Sequence, residues 1–540
     1  MSTDTPTSNL PPVLRPENPP QQDLGAFAER FAIRTIGDLA DRTFSGLTLA
    51  TADLRSGEIF VAINGVNAHG ASFAQRAADT GAIAVVTDEA GASIAAPSGL
   101  PILVVDDPRA LLGDMSAWVY GTGADDALPV LLGTTGTNGK TSVSHLLEGI
   151  LRQLGVTSGL SSTAERHIAG QVIVSRLTTP EASEMHALLA LMRERHVEAV
   201  AVEVSAQALS RHRVDGLMFD VAGFTNLSHD HLDDYADMEE YFEAKLALFH
   251  ADRSHRGVVS LDSAAGAEVV ARSEVPVVTV GTPLIAADPD AARAAHWVVD
   301  IVAEHQQGTT FTLTARDGRS LTTVVPVIGP HMAANAGLAI VMLLEAGYDW
   351  DRIVAALQRD GRITAYLPGR TELVSGTTGP AVYVDFGHSP DAFEKTLAAV
   401  RRVTPGRVLM LFGADGDRDA TKRLDMGRAG VLGSDILVIT DHHPRFEDPT
   451  SIRATLIAGA RLAQPDAEIH EFSPPEDAII AAVGMVGEGD AILWAGPGHQ
   501  DYRDIRGVRT PYSARELARR ALRDAGWPVG EPTWPVPYQD

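Results

Sequence analysis

The chain contains no cysteine among its 540 residues, which excludes a disulfide framework and any zinc site held by thiolates. It also lacks an apolar run long enough to span a bilayer. Basic residues are few, since 44 lysines and arginines stand against 70 acidic residues and the formal net charge is −26. A chain of this charge gains no attraction to nucleic acid or to anionic lipid. We therefore expect a cytoplasmic protein that binds neither nucleic acid nor a membrane.

The length of the chain and its alternation of strand-like and helical segments predict an α/β protein of several domains. We expect a mixed α/β domain, a central domain with a mostly parallel sheet, and a third alternating unit, over 24–125, 126–366 and 367–527. Residues 1–23 are rich in Pro, Thr, Ser and Asn and lack the segments of a signal peptide, so a disordered leader is expected. The Pro-rich residues 528–540 are expected to form a loose tail.

A glycine-rich segment follows the apolar run 130–132 and precedes a helical pattern over 143–154. It reads Gly133, Thr134, Thr135, Gly136, Thr137, Asn138, Gly139, Lys140, Thr141 and Ser142. Strand, glycine loop and helix form the layout of a phosphate-binding loop, in which backbone N–H groups face phosphate oxygens. Lys140 would add a mobile positive charge, and Thr141 a hydroxyl for Mg²⁺. The strict form of this loop has glycine at the position of Thr134, so the segment favours one particular family over motor ATPases and GTPases.

Four further polar segments follow strand-like runs, where ligands bind in an open α/β sheet. Glu203 ends one strand, and its carboxylate could ligate Mg²⁺, although a solvent-exposed glutamate is the simpler interpretation. The segment 225–233 could merely cap the helix behind it, and Lys245 on that helix has the pattern of a solvated surface residue. The turns 385–391 and 413–419 are weak signals when each is taken alone. Their order and spacing together are more informative.

Taken in order, these segments resemble the motifs of the Mur ligases, the ATP-dependent amide ligases of peptidoglycan precursors. The matching motifs lie at 133–142, 178–180, 203–205, 225–233, 245, 335, 369–370, 385–391, 416–419 and 444–445. The set is most similar to the members that add a diamino acid to UDP-N-acetylmuramoyl-L-alanyl-D-glutamate. The resemblance implies a uridine-binding N-terminal domain, a P-loop ATPase-like central domain and a Rossmann-like C-terminal domain, in a monomer.

The resemblance also implies roles for the matched residues, with ATP and Mg²⁺ as cofactors. The catalytic residues would be Lys140, Glu203, His231 and Lys245, the last as a lysine carbamylated by CO₂. Besides the loop from Gly133 to Thr141, ATP would contact Asn335, Arg370, Asp385 and His388. Mg²⁺ would be held by Thr141, Glu203, His231 and Lys245. The UDP-substrate would contact Thr51, Thr178, Thr179, Ser205, Arg211 and Arg213. The amino acid would contact Arg418, His442, His443, Arg445, Gly496 and Gln500.

The implied reaction begins with phosphoryl transfer from ATP to the D-glutamate carboxylate, because a free carboxylate is a poor electrophile. The amine of the diamino acid then attacks the acyl phosphate and forms an amide. Carboxylate and phosphate are both anionic, so Mg²⁺ and Lys140 are needed to offset their repulsion.

The chain departs from the family pattern mainly where substrates bind. Thr51 keeps only the hydroxyl of a family D-S-R triplet, Gln207 replaces a usual histidine, and Met332 stands where asparagine is common. These three departures concern the substrate and nucleotide sites and leave the phosphate loop intact.

The acceptor motif departs furthest. The family sequence D-N-P-R reads His442, His443, Pro444 and Arg445 here, and Gln500 replaces the glutamate of G-x-G-H-E. Arg445 retains a guanidinium fork suited to the second carboxylate of diaminopimelate. Since pocket charges control such choices, the acceptor stays open between diaminopimelate and lysine, ornithine or another diamino acid.

Two other functions stay open on the sequence. One is a related ligase acting on another carboxylate, such as a glutamate-adding enzyme, against which Thr178, Thr179 and Arg213 argue. The other is a weakly active nucleotide-binding regulator. The retained Lys140 and Glu203 argue against a regulator, because an inactive paralogue need not keep its metal site.

Overall fold

The structure, a computed structural model, describes residues 11, 13–65, 68–230 and 234–530. Within these residues the chain forms two compact units. The first comprises the described residues of Met1–Thr135, Val156–Ala222 and Ala244–Arg256, and the second comprises the described residues of Gly136–Gly155, Gly223–Glu243 and Gly257–Asp540. The predicted domain boundaries stay predictions.

The first unit begins with a five-stranded sheet. Its strands lie in the spatial order Arg34–Ile36, Ile102–Val104, Ala84–Thr87, Ile59–Ala62 and Leu47–Thr48, parallel except for the first. The helices of this region are Leu24–Arg30, Ala74–Thr80, Glu89–Ala95 and Leu112–Tyr120, with 3-10 turns at Gly70–Phe73 and Ala96–Ser98, and Gln22–Asp23 pairs with Thr43–Phe44. The buried strands are apolar on both faces, as parallel strands covered by helices require.

A second group of strands in the first unit leads toward the phosphate loop. In spatial order these are Gln171–Val174, Glu165–Ile168, Ser158–Ser161, Ala199–Glu203 and Val130–Thr135. The last three run parallel, and the first two add an antiparallel edge. The helices here are Ala182–Glu194 and Ala206–Ser210, with a 3-10 turn at Ala247–Phe249. The strand Val221–Phe224 and the helix Met238–Leu246 each contain residues of both units.

The second unit contains five further strands that are neighbours in sequence order. They are Gly257–Ser260, Val277–Gly281, Trp297–His305, Gly308–Ala315 and Ser320–Val325, of which the first three are parallel and the rest antiparallel. The accompanying helices are Lys140–Gln153, Ala264–Arg272, Pro289–Arg293, Pro330–Glu345 and Trp350–Asp360.

The C-terminal part of the second unit is a six-stranded sheet with helices on both faces. Its strands follow the order Glu372–Leu373, Ala381–Asp385, Ala491–Ala495, Val408–Phe412, Ile436–Ile439 and Ile469–Glu471, parallel except for the first. Its helices are Pro390–Val403, Arg423–Gly433, Pro449–Ala463, Pro475–Gly484 and Ala514–Asp524, and Tyr502–Ile505 forms a hairpin with Val508–Pro511. Separate apolar clusters fill the two faces. The predicted α/β architecture with parallel sheets is confirmed, and no helix in the described ranges is long and apolar enough to cross a membrane.

The ends of the described chain are packed, which corrects the expectation of a disordered leader for residues 13–23. Arg15 is buried, and its Nε donates to Glu58 Oε1 at 2.6 Å while an Nη group donates to Thr48 Oγ1 at 3.0 Å. At the other end, Gly530 donates its N–H to the carbonyl oxygen of Val374, which corrects the loose tail for 528–530. Composition cannot reveal such ties, because each partner lies far along the sequence.

Replacing Arg15 with Met is expected to lower the free energy of unfolding by about 3–5 kcal/mol. The carboxylate of Glu58 is almost fully buried, and the change leaves it without its cation. Urea unfolding monitored by circular dichroism measures the loss. Arg76→Met, which removes an exposed arginine of the same unit, is the matched control. Equal unfolding midpoints for the two variants would contradict the prediction.

Candidate functional site

The glycine loop joins the strand Val130–Thr135 to the helix Lys140–Gln153. Gly136 and Gly139 have φ angles of +141° and +94°, which side-chain-bearing residues rarely adopt. A Cβ at Gly136 would lie 1.9 Å from Thr225 Oγ1, and one at Gly139 would lie 2.7 Å from Asn335 Oδ1. The loop therefore requires glycine at both positions, and Asn335 lies beside the loop that it was predicted to accompany.

The glycine loop is fixed by hydrogen bonds to residues 225–228, which follow the strand Val221–Phe224. The N–H groups of Thr137 and Asn138 donate to the carbonyl and side-chain oxygens of Asn226, at 2.9 and 3.0 Å. Thr225 Oγ1 donates to the carbonyl of Asn138 at 2.6 Å, and the N–H of Ser228 donates to Thr137 Oγ1 at 3.1 Å. Thr225, Asn226 and Ser228, which position the loop, were not among the predicted site residues. The motif at 225–227 was the sequence signal that could have identified the first two.

Lys140 lies across the loop that it follows. Its Nζ donates to the carbonyl oxygens of Gly136 and Thr137, both at 2.9 Å. Thr141 Oγ1 accepts a hydrogen bond from an Nη group of Arg370 at 3.0 Å, and the guanidinium of Arg370 stacks on the ring of Phe386 at 4.4 Å. Three of the residues predicted for the nucleotide are thus brought together in the second unit. The result is a cationic cradle of the kind that holds phosphates.

Asp385 and His388 lie in the turn after the strand Ala381–Asp385. Asp385 accepts hydrogen bonds from the N–H groups of Thr371 and Gly387, at 2.7 and 2.6 Å, so its carboxylate organises the turn. His388 donates from Nδ1 to the carbonyl of Phe386, and burial lowers its pKa. Both residues lie where a nucleotide-binding turn was predicted; their contact with ATP stays a prediction.

Glu203 ends its strand in the first unit and is almost fully buried. It lies opposite Thr134 in the register of the sheet, beside the strand that enters the glycine loop. Its Oε2 accepts a hydrogen bond from the N–H of Thr163 at 2.8 Å. A buried carboxylate needs donors or a cation, so the solvent-exposed interpretation of Glu203 is wrong.

The predicted UDP-substrate residues gather around Glu203 in part. Thr179 Oγ1 donates to the carbonyl of Glu203 at 2.8 Å and accepts from the N–H of Ser205 at 3.2 Å. Thr178 shares a hydrogen bond of 2.9 Å with Thr163, and Arg213 pairs with Glu181 at 3.0 Å. Thr51 lies in a turn before the strand Ile59–Ala62, and the exposed Arg211 ends the helix Ala206–Ser210.

Lys245 corrects the expectation of a surface residue. It lies on the helix Met238–Leu246 with only 1% of its surface exposed. An amine so deeply buried is costly unless its surroundings compensate for it, and this is the environment expected of a functional lysine. His231 lies outside the described residues.

Four of the six predicted acceptor residues, His442, His443, Arg445 and Gln500, form one cluster with Asp415 in the second unit. His442 Nδ1 donates to Asp415 Oδ1 at 2.7 Å, and an Nη group of Arg445 lies 3.5 Å from Asp415 Oδ2. Burial opposes ionisation of Asp415, but the hydrogen bond from His442 and the electrostatic influence of the neighbouring histidines hold its pKa well below the usual range. Arg445 has a φ of +52°, and its buried Nε has no hydrogen-bond partner in the described part of the chain. Strained backbone and an unsatisfied donor are both typical of ligand sites.

His443 is fixed in a neutral tautomer. Its Nδ1 accepts from the N–H of Asp504 at 2.9 Å, so Nε2 carries the proton and donates to Gln500 Oε1, also at 2.9 Å. Burial and the neighbouring His442 lower the pKa of His443 to about 4. Asp415, His442 and His443 are close enough to suggest a metal site, but the lone pair of His443 is already engaged by a backbone N–H.

Of the remaining two predicted acceptor residues, Gly496 lies beside this cluster. Gly496, with a φ of +111°, donates its N–H to the carbonyl of Asp385, and a Cβ there would lie 3.4 Å from the His442 ring. Arg418 lies exposed in the turn 413–419. Asp415 was missed as a site residue because its partner His442 lies 27 residues further along the chain.

Comparison with known proteins adds to this geometry. The profile of the Mur ligase middle domain matches residues 134–343, and that of the Mur ligase, glutamate ligase domain matches residues 369–498. The chain is 54% identical over 521 residues to the UDP-N-acetylmuramyl-tripeptide synthetase of Leifsonia xyli. That alignment covers 96% of this chain and 100% of the relative. It is 41% identical over 485 residues to the UDP-N-acetylmuramoyl-L-alanyl-D-glutamate--2,6-diaminopimelate ligase of Streptomyces avermitilis, covering 89% of this chain and 93% of that one.

Solved structures give the same result for the fold. A UDP-N-acetylmuramoyl-L-alanyl-D-glutamate--2,6-diaminopimelate ligase superposes with a TM-score of 0.62 at 25% identity, covering 93% of this chain and 99% of that one. The MurF ligase of Thermotoga maritima, solved with ADP, superposes with a TM-score of 0.61 at 18% identity, covering 91% and 100%.

Proposed function

Because the chain belongs to the Mur ligase family, we propose that it adds a diamino acid to UDP-N-acetylmuramoyl-L-alanyl-D-glutamate in peptidoglycan precursor synthesis. Like the family, it is an ATP-dependent, ADP-forming ligase that uses Mg²⁺. The diamino acid is meso-diaminopimelate or one similar to L-lysine. We also propose that the protein acts in the cytoplasm as a monomer, since its proposed substrates are ATP and two soluble compounds.

The observation that carries the proposal is the geometry of the phosphate loop. Lys140 donates to two carbonyl oxygens of the loop, and Arg370 donates to the hydroxyl of Thr141. In the proposed reaction, these cations bind the phosphates of ATP and offset charge as the γ-phosphoryl group moves to the D-glutamate carboxylate. Around the carboxylate substrate, Thr178, Thr179 and Arg213 are proposed to bind and orient the muramoyl dipeptide. Orientation matters because the acyl phosphate must meet an amine before it meets water.

The proposed ligands of Mg²⁺ fit the ion chemically. Thr141 and Glu203 offer oxygen atoms, the donors that Mg²⁺ prefers, and both side chains are buried. Lys245 would join this set as a carbamate, which converts a cationic side chain into an oxygen donor, and His231 is proposed for a second ion. When bound, Mg²⁺ would supply positive charge between carboxylate and phosphates.

A single assay tests the proposed function. Purified protein is supplied with ATP, Mg²⁺, UDP-N-acetylmuramoyl-L-alanyl-D-glutamate and one amino acid at a time, and the products are weighed by mass spectrometry. We expect a tripeptide product with at least one diamino acid, and ADP release only when dipeptide and amino acid are both present. ATP turnover without either substrate, or no product with any diamino acid, would contradict the proposal.

Arg445 is proposed to bind the second carboxylate of diaminopimelate, which lysine lacks. Its Nε is buried and lacks a partner in the structure, so a bound carboxylate would complete its hydrogen bonds. Arg445→Ala is therefore expected to raise the KM of diaminopimelate about tenfold or more, and that of lysine much less. Steady-state kinetics with each acceptor measure both constants. An equal loss for the two acceptors would assign Arg445 a purely structural role.

A further inference from the structure

Asp415 differs from the other side chains of the acceptor cluster in its charge. Among Asp415, His442, His443, Arg445 and Gln500, it alone is an anion, and 31% of its side chain is exposed. Its Oδ1 accepts one strong hydrogen bond from His442, whereas the contact that Oδ2 makes among the described residues is the long one of 3.5 Å with Arg445. A carboxylate has about four acceptor sites, so Asp415 keeps capacity for a further donor.

Three neighbouring carboxylates, those of Glu447, Asp417 and Asp504, accept hydrogen bonds from other groups. Glu447 accepts both Nη groups of Arg423, each at 2.9 Å. Asp417 accepts from the N–H of Phe446 at 3.0 Å, and Asp504 accepts from the N–H of Gly507 at 3.0 Å. These contacts turn three acids toward backbone or arginine, and leave Asp415 facing the cluster.

The other polar groups of the cluster are poor partners for a cation. His442 presents an N–H to Asp415, and the oxygen of Gln500 already accepts from His443. Arg445 repels any positive charge. Because Asp415 is the one anion among these five side chains, it is the group that would stabilise a distal ammonium entering this cluster, and a charge-assisted hydrogen bond is among the stronger polar contacts.

We propose that Asp415 binds the distal ammonium of the diamino acid and so selects acceptors that carry a second amine, with His442 as the positioning residue that orients its carboxylate. The inference rests on the proposed ligase function and assigns one feature of its specificity. His442 fixes one carboxylate oxygen and leaves the other for the substrate, next to the guanidinium that would bind a carboxylate of the same molecule.

The test uses the full chain and compares acceptors with and without the distal amine. The pairs are lysine with norleucine, and diaminopimelate with 2-aminopimelate. Asp415→Asn keeps the shape and can still accept from His442, but it removes the charge. We expect its KM for the diamino acid to rise about 10- to 100-fold, while kcat changes little and the preference over the desamino analogue falls by a similar factor. Asp466→Asn, the same change at an exposed position of the same unit, should match the wild type.

A second pair of variants keeps the inference testable if Asp415→Asn fails to fold. His442→Asn retains an N–H near the position of Nδ1 and is expected to keep most of the selectivity, whereas His442→Ala should lose it. Selectivity unchanged in Asp415→Asn, or equal in the two His442 variants, would overturn the inference while leaving ligation by the wild type intact. Failure of the wild type to ligate any acceptor would instead contradict the proposed function. Zn²⁺ binding that is measured by calorimetry and abolished in Asp415→Asn would also overturn it, in favour of a metal site.

Discussion

Lys140→Ala is expected to lower the kcat of ligation by about 10³-fold. In the structure the ammonium of Lys140 is held over the loop by two carbonyl oxygens, so it is positioned before any phosphate arrives. The phosphoryl group carries its greatest charge as it moves between oxygens, and a preorganised cation acts most strongly at that stage. The loss should therefore fall on kcat more than on the KM of ATP. Initial-rate measurements of ADP release at saturating substrates give both constants.

The control for this prediction is Lys395→Ala. Lys395 is about half exposed and forms a pair with Asp391 one helical turn away, which is worth only a few tenths of a kcal/mol. We expect Lys395→Ala to keep the wild-type kcat, and both variants to melt within a few degrees of the wild type. A kcat for Lys140→Ala within about threefold of the wild type would show that phosphoryl transfer does not depend on this charge.

Lys245→Met is expected to abolish most activity, by about 10²-fold or more, without unfolding the protein. The side chain is buried at 1% exposure, so an apolar chain of similar length can fill its place. What Met cannot supply is the oxygen donor that a carbamylated lysine would provide. Thermal unfolding and the ligation assay, run on the same samples, separate the two effects.

The response to bicarbonate distinguishes a carbamylated lysine from a structural one. The chain has four lysines, Lys140, Lys245, Lys395 and Lys422, so labelling with ¹³C-bicarbonate should give a simple carbon spectrum. We expect one protected carbamate signal in the wild type and none in Lys245→Met. We also expect removal of CO₂ to lower the activity of the wild type reversibly. A wild type that shows neither the signal nor the dependence would refute carbamylation, even if Lys245→Met were inactive.

The phosphate loop could be predicted from the sequence because its chemistry is local. Glycines, Lys140 and Thr141 are consecutive, and their geometry follows from a strand, a turn and a helix N-terminus. The ties that hold the loop could not be derived in this way. Asn226 lies 88 residues from Asn138, and only the folded chain brings them together.

The burial of charged side chains also could not be predicted from the sequence pattern. Lys245 has the spacing of a surface lysine on an amphipathic helix, yet it is enclosed. Arg15 lies in a segment whose composition predicts disorder, yet it pairs with Glu58, which is 43 residues away. In both cases a charged side chain is placed by tertiary contacts, and hydrophobic periodicity reports only what is apolar.

The hydrogen bonds from Asn226 and Ser228 to the loop have a consequence for the thermodynamics of nucleotide binding. Backbone that is already fixed loses little conformational freedom when a ligand arrives, whereas a disordered glycine loop would lose about 1–2 kcal/mol per residue. In this protein that entropy is lost during folding, so ATP meets a loop of nearly final shape. The affinity of the loop for nucleotide is therefore linked to the stability of the strand and turn that precede the helix Met238–Leu246.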